Sequence, residues 1–147
     1  HDNLGDYYMS KYKYEEAQKC FENAVQNNPD NTHALTNLAK CLKENKKPDE
    51  AMKWIDKAIE NEPDYPWALD LKGTLLFDKK MYAESVKFFE KAVSFRPEHP
   101  DFITNLGWAY LNSGNSSDAY DQFILALDID PSNYSAEKGK DKIMREC

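Results

Sequence analysis

With 147 residues, 41% of them hydrophobic and 13% aromatic, the chain carries enough apolar material for one ordinary core, which argues against a disordered segment. No window approaches about 18 uninterrupted apolar residues, and the start HDNLGDYYMS lacks a basic region followed by an apolar run, so no membrane span or signal peptide is visible. A net charge of −7 argues against a nucleic-acid backbone as the main partner, since phosphate binding needs clustered Lys and Arg.

Prolines mark the predicted elements in chain order. Pro29, Pro63, Pro97 and Pro131 are spaced by 34, 34 and 34 residues, and a fixed period of roughly 20 to 50 residues is the signature of a stacked repeat. Each period predicts two helices joined by a short turn. The first, residues 1–31, begins three residues late in this frame and ends in YEEAQKCFENAVQNNPDN. That late start points to a piece of a longer chain or to lost preceding residues. In the second, residues 32–65, Pro48 suits the first turn of a second helix in KKPDEAMKWI, where a missing N–H costs nothing. The third, residues 66–99, opens on Pro66 and repeats the earlier wording as YAESVKFFEKAVSFRPEH. The fourth, residues 100–133, opens on Pro100, with NSGNSSD as the turn between its helices. Residues 134–147, YSAEKGKDKIMREC, are too few for another pair and read as an amphipathic capping helix that lays Tyr134, Ile143 and Met144 on the last apolar face.

Setting the chain in the 34-residue frame aligns whole columns. Gly5, Ala39, Gly73 and Gly107 form one; Ala17, Ala51, Ser85 and Ala119 another; Ala24, Ala58, Ala92 and Ala126 a third. Phe21, Ile55, Phe89 and Phe123 are the large apolar column, and Tyr8, Leu42, Leu76 and Tyr110 a fifth. Small residues let two antiparallel helices approach, and the large residue nearby fills the space beside them. One pair cannot bury its apolar stripe alone, so each needs the next.

This pattern resembles the tetratricopeptide repeat, in which W-x2-L-G-x2-Y is followed by Ala, Phe and Pro. LGDYY from Leu4 and LGWAY from Leu106 match its first half; AQKCFENAVQNNP and AYDQFILALDIDP match its second. The departures are His1, Leu35, Leu69 and Ile103 in the Trp column, Lys72 in the Leu column and Ser85 in a small-residue column. The resemblance implies an all-α, right-handed solenoid of about four helix-turn-helix repeats plus the C-terminal cap.

No catalytic constellation accompanies this architecture: the sequence has no P-loop, no H-E-x-x-H and no dinucleotide fingerprint. His1, His33 and His99 lie in or before first helices and read as ordinary surface or helix-start residues. Cys20 and Cys41 read as packing residues and Cys147 as exposed. An odd cysteine count without C-x-x-C favours reduced thiols in the cytoplasm. The N-x-S/T sequences at Asn115 and Asn133 lie in Ser/Asn-rich turns and weigh little against that setting. No metal or cofactor is expected, and no enzymatic activity.

The resemblance implies that the first helix of each repeat lines a concave groove. The slots carried over are His33, Thr36, Lys40, Lys43 and Glu44 in the second repeat and Trp67, Asp70, Thr74, Phe77 and Asp78 in the third. Asp101, Thr104, Trp108, Leu111 and Asn112 follow in the fourth. Asn3, Asn37 and Asn105 share a slot that Leu71 interrupts; in peptide-binding members such asparagines hold a ligand's main chain, which an amide suits by donating and accepting at once. The candidate groove is therefore Asn37, Lys40, Trp67, Asp70, Leu71, Phe77, Asp101, Asn105 and Trp108. Aromatics favour a binding surface, against the alternative that Trp67 packs on its own turn and Phe77 on the next helix. The family's clamp for acidic chaperone tails is not expected: its slots in the first three repeats hold Asp2, Asp6, Asn37, Trp67 and Leu71, of which only Asn37 fits, and one repeat further on they hold Thr36, Lys40, Leu71, Asp101 and Asn105, which is no better. Residues 100–133 contain five acids and no Lys or Arg, which suggests a partner with basic character near repeat four. The expected function is a non-catalytic protein-interaction module that binds an extended peptide or partner segment. The alternatives are a self-associating assembly unit and a substrate-presenting region of a larger enzyme.

Overall fold

A computed structural model describes residues 14–146, and among them every regular element is an α-helix. In chain order these are α1 (Tyr14–Asn27), α2 (Thr32–Glu44), α3 (Pro48–Asn61), α4 (Pro66–Asp78), α5 (Tyr82–Phe95), α6 (Pro100–Asn112), α7 (Ser116–Ile129) and α8 (Tyr134–Arg145). This is an all-α helical repeat of the solenoid class. The expectations for Asn3, Gly5 and Tyr8 in the first helix of the first repeat, and for Cys147, lie outside the described residues.

The ends of these helices follow from local chemistry. Pro48, Pro66 and Pro100 each begin a helix, where no partner for an N–H is needed. Asn31, Asn115 and Asn133 cap α2, α7 and α8, their side-chain oxygens accepting from the backbone N–H of Ala34, Asp118 and Ala136 at 3.1, 3.2 and 3.0 Å. The two N-x-S/T asparagines are thus helix caps. His99 caps α6 through Nδ1, which accepts from the Phe102 N–H at 3.4 Å, and its ring stacks on Phe102 at 3.9 Å. The turn inside a pair needs one residue in the left-handed region: Lys46, Lys80 and Gly114, spaced by 34 residues, have φ of 62°, 64° and 93°.

Burial follows the columns. Phe21, Ile55, Phe89 and Phe123 are at most 2% exposed, and Ala17, Ala51, Ser85 and Ala119 are fully buried. Ser85 keeps its place by donating its hydroxyl to the Tyr82 carbonyl at 2.8 Å. Leu35, Leu69 and Ile103, which stand in the Trp column, are also fully packed. Lys72 replaces a core leucine and lies half-buried, with Nζ 2.5 Å from Asp56 Oδ1 on α3.

Two compact units make up the chain, one running up to Leu75 and one starting at Leu76. In the first, α1 packs on α2 and α2 on α3. The core joins Phe21, Leu35, Leu38, Leu42, Ile55 and Leu75. In the second unit α5 packs on α6, α6 on α7, and α8 on both α6 and α7. The α8 contact differs from the sequence expectation. Tyr134 and Met144 are 78% and 57% exposed, while Ala136, Gly139 and Ile143 face inward. The reason is the Phe123 ring: a Cβ on Gly107 would lie 2.6 Å from it and one on Gly139 2.4 Å, so the ring is held between two glycines. On α8, Glu137 and Asp141 occupy the slots filled by Ile103 and Gly107 one period earlier, and both are exposed.

Candidate functional site

Within the first unit, α2 and the start of α4 enclose a cleft of about 430 Å³. Asn37, Lys40, Trp67, Asp70 and Leu71 all line it, with His33, Thr36, Lys43, Glu44 and Thr74, as the groove slots anticipate. The spacing explains the convergence. Positions 33, 36, 37, 40, 43 and 44 fall on one face of α2, and 67, 70, 71 and 74 on one face of α4. Their opposite faces are spent on Leu35, Leu38, Leu42 and Leu75 in the core.

Sequence reasoning did not single out Tyr65. It sits in the column of the capping residues Asn31, His99 and Asn133, so an aromatic there is the signal that could have revealed it. Its ring meets Trp67 at 5.6 Å with the planes tilted by 44°, and its hydroxyl lies 3.2 Å from His33 Nδ1. The other ring nitrogen of His33, Nε2, is 3.1 Å from Asn37 Nδ2. With the amide donating to Nε2, the proton sits on Nδ1 and is given to Tyr65, a self-consistent chain that fixes the Asn37 side chain. His33, an exposed helix-start residue that is also a groove slot, is thus part of the cleft wall. Trp67 leans on its own turn and still exposes 40% of its surface. Leu71, 9% exposed, forms an apolar floor. At the far end Lys43 Nζ is 3.4 Å from Glu44 Oε1.

In the second unit the predicted residues have other engagements. Phe77 packs edge-on against Tyr82 at 5.1 Å and joins the cluster around Phe89 and Leu106, which is the packing alternative. Trp108 donates its indole N–H to Ser135 Oγ on α8 at 2.9 Å and lies edge-on to Phe123 at 5.3 Å. It is tied into the α6–α8 contact and stays half-buried. Thr104 is buried, donating to the Pro100 carbonyl at 2.8 Å and accepting from Asn133 Nδ2 at 2.9 Å. Asp101 is exposed and Asn105 half-buried on α6.

The titratable groups that depart from their ordinary range are held protonated. Burial pushes the Cys41 thiol up to about 11, with Glu22 and Glu44 adding to the effect, and its Sγ donates to the Tyr14 carbonyl at 2.9 Å. A thiol kept from ionising is a packing group and not a nucleophile. Burial also raises Tyr110, whose hydroxyl donates to Glu90 Oε2 at 2.6 Å. Among the described residues no group of three or more His, Cys, Asp or Glu could hold a metal ion, and no helix is long and apolar enough to cross a membrane.

Tetratricopeptide-repeat family models match residues 8–75, 68–99 and 88–121. No match was found among curated proteins. Among solved structures, pilF of Pseudomonas aeruginosa is similar with a TM-score of 0.90 and 21% identity, over 98% of this chain and 66% of that one. MamA is similar with a TM-score of 0.83 and 17% identity, over 97% and 84%. YrrB, described as a TPR protein with an unusual peptide-binding site, has a TM-score of 0.78 and 26% identity, over 93% and 71%.

Proposed function

We propose, because the chain belongs to the tetratricopeptide-repeat family, that this protein-interaction scaffold holds an extended peptide segment of a partner in the cleft between α2 and α4, without catalysing a reaction on it. One observation carries the reading. A tilted Tyr65–Trp67 wall stands over the Leu71 floor, beside an Asn37 amide held by His33. Exposed aromatic surface supplies burial on binding, and the amide keeps an oxygen and a second N–H for a peptide group. The similarity to YrrB supports the same reading. Asp101 and Asn105 on α6 are candidate contacts in the second unit, and the acid-only stretch 100–133 favours a basic partner surface there.

The test is selection of binders from a displayed library of random peptides, followed by titration of synthetic versions. Trp67→Ala is expected to weaken the selected peptides about tenfold or more, as hot-spot aromatics do, and Asn37→Ala by a smaller factor. Helical circular dichroism should not change. Selected peptides that bind both variants as tightly as the parent chain would place the binding surface elsewhere.

A further inference from the structure

We infer that the cleft selects a ligand bearing a ring and a carboxylate about 10 Å apart, the ring seated at Trp67 and the carboxylate at Lys40. This rests on the proposed peptide reading and adds its chemistry.

The argument starts from the order of residues along the two helices. The beginnings of α2 and α4 meet where His33 touches Tyr65, so the cleft has an aromatic end. One turn further along, Asn37 on α2 and Asp70 with Leu71 on α4 form its middle. Another turn along lie Lys40, Lys43 and Glu44, opposite the uncharged Thr74. Lys43 is engaged with Glu44, so Lys40, which is exposed, supplies the net charge of that end. From position 33 to position 40 the helix rises about 10 Å at 1.5 Å per residue.

Charge then fixes the direction. The aromatic end has no Lys or Arg among the lining residues, whereas the other end offers a ligand carboxylate Lys40. An extended peptide advances about 3.3 Å per residue, so a ring at one position and a carboxylate three positions later span the cleft. A side-chain carboxylate and a chain terminus offer the same group.

Calorimetric titration of capped peptides tests this, with Phe-Ser-Ser-Glu as the central sequence in an amidated peptide and Gln or Lys in place of Glu in two others. A fourth peptide ends in a free carboxylate three residues after Phe. The Glu peptide is expected to bind about threefold more tightly than the Gln peptide and the Lys peptide least, with the gap shrinking as salt rises. Lys40→Glu, on an exposed helix position, should invert the order of Glu and Lys. If only the free-terminus peptide gains over the Gln peptide, the carboxylate is that of a chain end; if only the Glu peptide gains, it is a side chain. Equal binding of the Glu, Gln, Lys and free-terminus peptides, with affinity still lost in Trp67→Ala, would overturn the carboxylate inference and leave the peptide cleft standing. Failure of every ring-bearing peptide to bind would overturn both.

Discussion

Gly139→Ala should destabilise the protein although it replaces the poorest helix former but proline with the best. In an unpacked helix the exchange gains about 1 kcal/mol. Here the new methyl carbon would sit 2.4 Å from Phe123 Cζ and 2.5 Å from Cε2. That is about 1 Å or more inside ordinary carbon contact. The ring cannot retreat, because on its other side the Gly107 backbone is so close that a Cβ there would lie 2.6 Å from Cε1. Relief has to come from α8 moving outward, which loosens Ala136, Ile143 and the 2.9 Å bond from Trp108 to Ser135. Overpacking of this kind costs about 1–3 kcal/mol and here belongs at the upper end. Set against the helix gain, a net loss of about 1–2 kcal/mol is expected. That corresponds to a melting temperature lower by about 3–6 °C for a chain of this length. The assay is urea unfolding followed by helical circular dichroism, in the parent and in a Phe123→Leu background. Leucine removes the ring edge, so there Gly139→Ala should become neutral or stabilising by up to about 1 kcal/mol. A stabilising Gly139→Ala in the parent chain would refute the close approach of α8 to Phe123.

Deleting residues 134–147 should expose Phe123 and Trp108, lower the melting temperature and produce aggregates in light scattering; a monodisperse product with unchanged melting would reject the cap assignment. Lys46→Gly and Lys80→Gly, at positive φ, should each raise stability by about 0.5–1 kcal/mol in denaturant titrations, and a loss at both would mean that the lysine stems matter more than the backbone. Because the folded Cys41 thiol lies at about 11, above the ordinary 9.0, its contribution is full below about pH 9 and is lost as pH rises towards 11. The unfolding free energy should fall across that window by up to about 3 kcal/mol, with a shallower fall in Cys41→Ala; identical slopes would contradict the burial of the thiol.

The repeat was legible because its columns obey one steric rule at one period, and burial at Ala51, Ser85, Ala119 and their large partners repeats that rule without exception. The contribution of α8 was less legible. Reading Tyr134 and Met144 as its apolar contacts assumed that large residues do the covering, whereas the bulk comes from Phe123 on α7 and α8 supplies the gap at Gly139. In the cleft, the resemblance to the repeat family supplied the first-helix slots, and helix spacing then sets Asn37 and Lys40 on one face and Trp67, Asp70 and Leu71 on another. Tyr65 was not, because it lies just before α4, where a sequence frame expects a capping residue and says nothing about which wall an aromatic joins. Trp108 shows the converse limit. Its slot permits a ligand contact, but only the coordinates show that Ser135 already takes its indole proton.

The Lys72–Asp56 pair bears on how a chain of near-identical segments assembles in the right order. Each helix presents almost the same small and large columns, so apolar attraction alone barely distinguishes a correct neighbour from one a period away. On the other first helices the slot of Lys72 holds Leu38 or Leu106, and on α8 it holds Lys140; the slot of Asp56 holds Glu22, Glu90 or Ile124. A shift that set α4 against α7 would bring the ammonium to Ile124, leaving a charge beside an aliphatic side chain as the helices dock. The pair is thus a partial address: docking of α4 on α1 or α5 would still offer Lys72 an acid, Glu22 or Glu90, and only docking on α7 is penalised during folding.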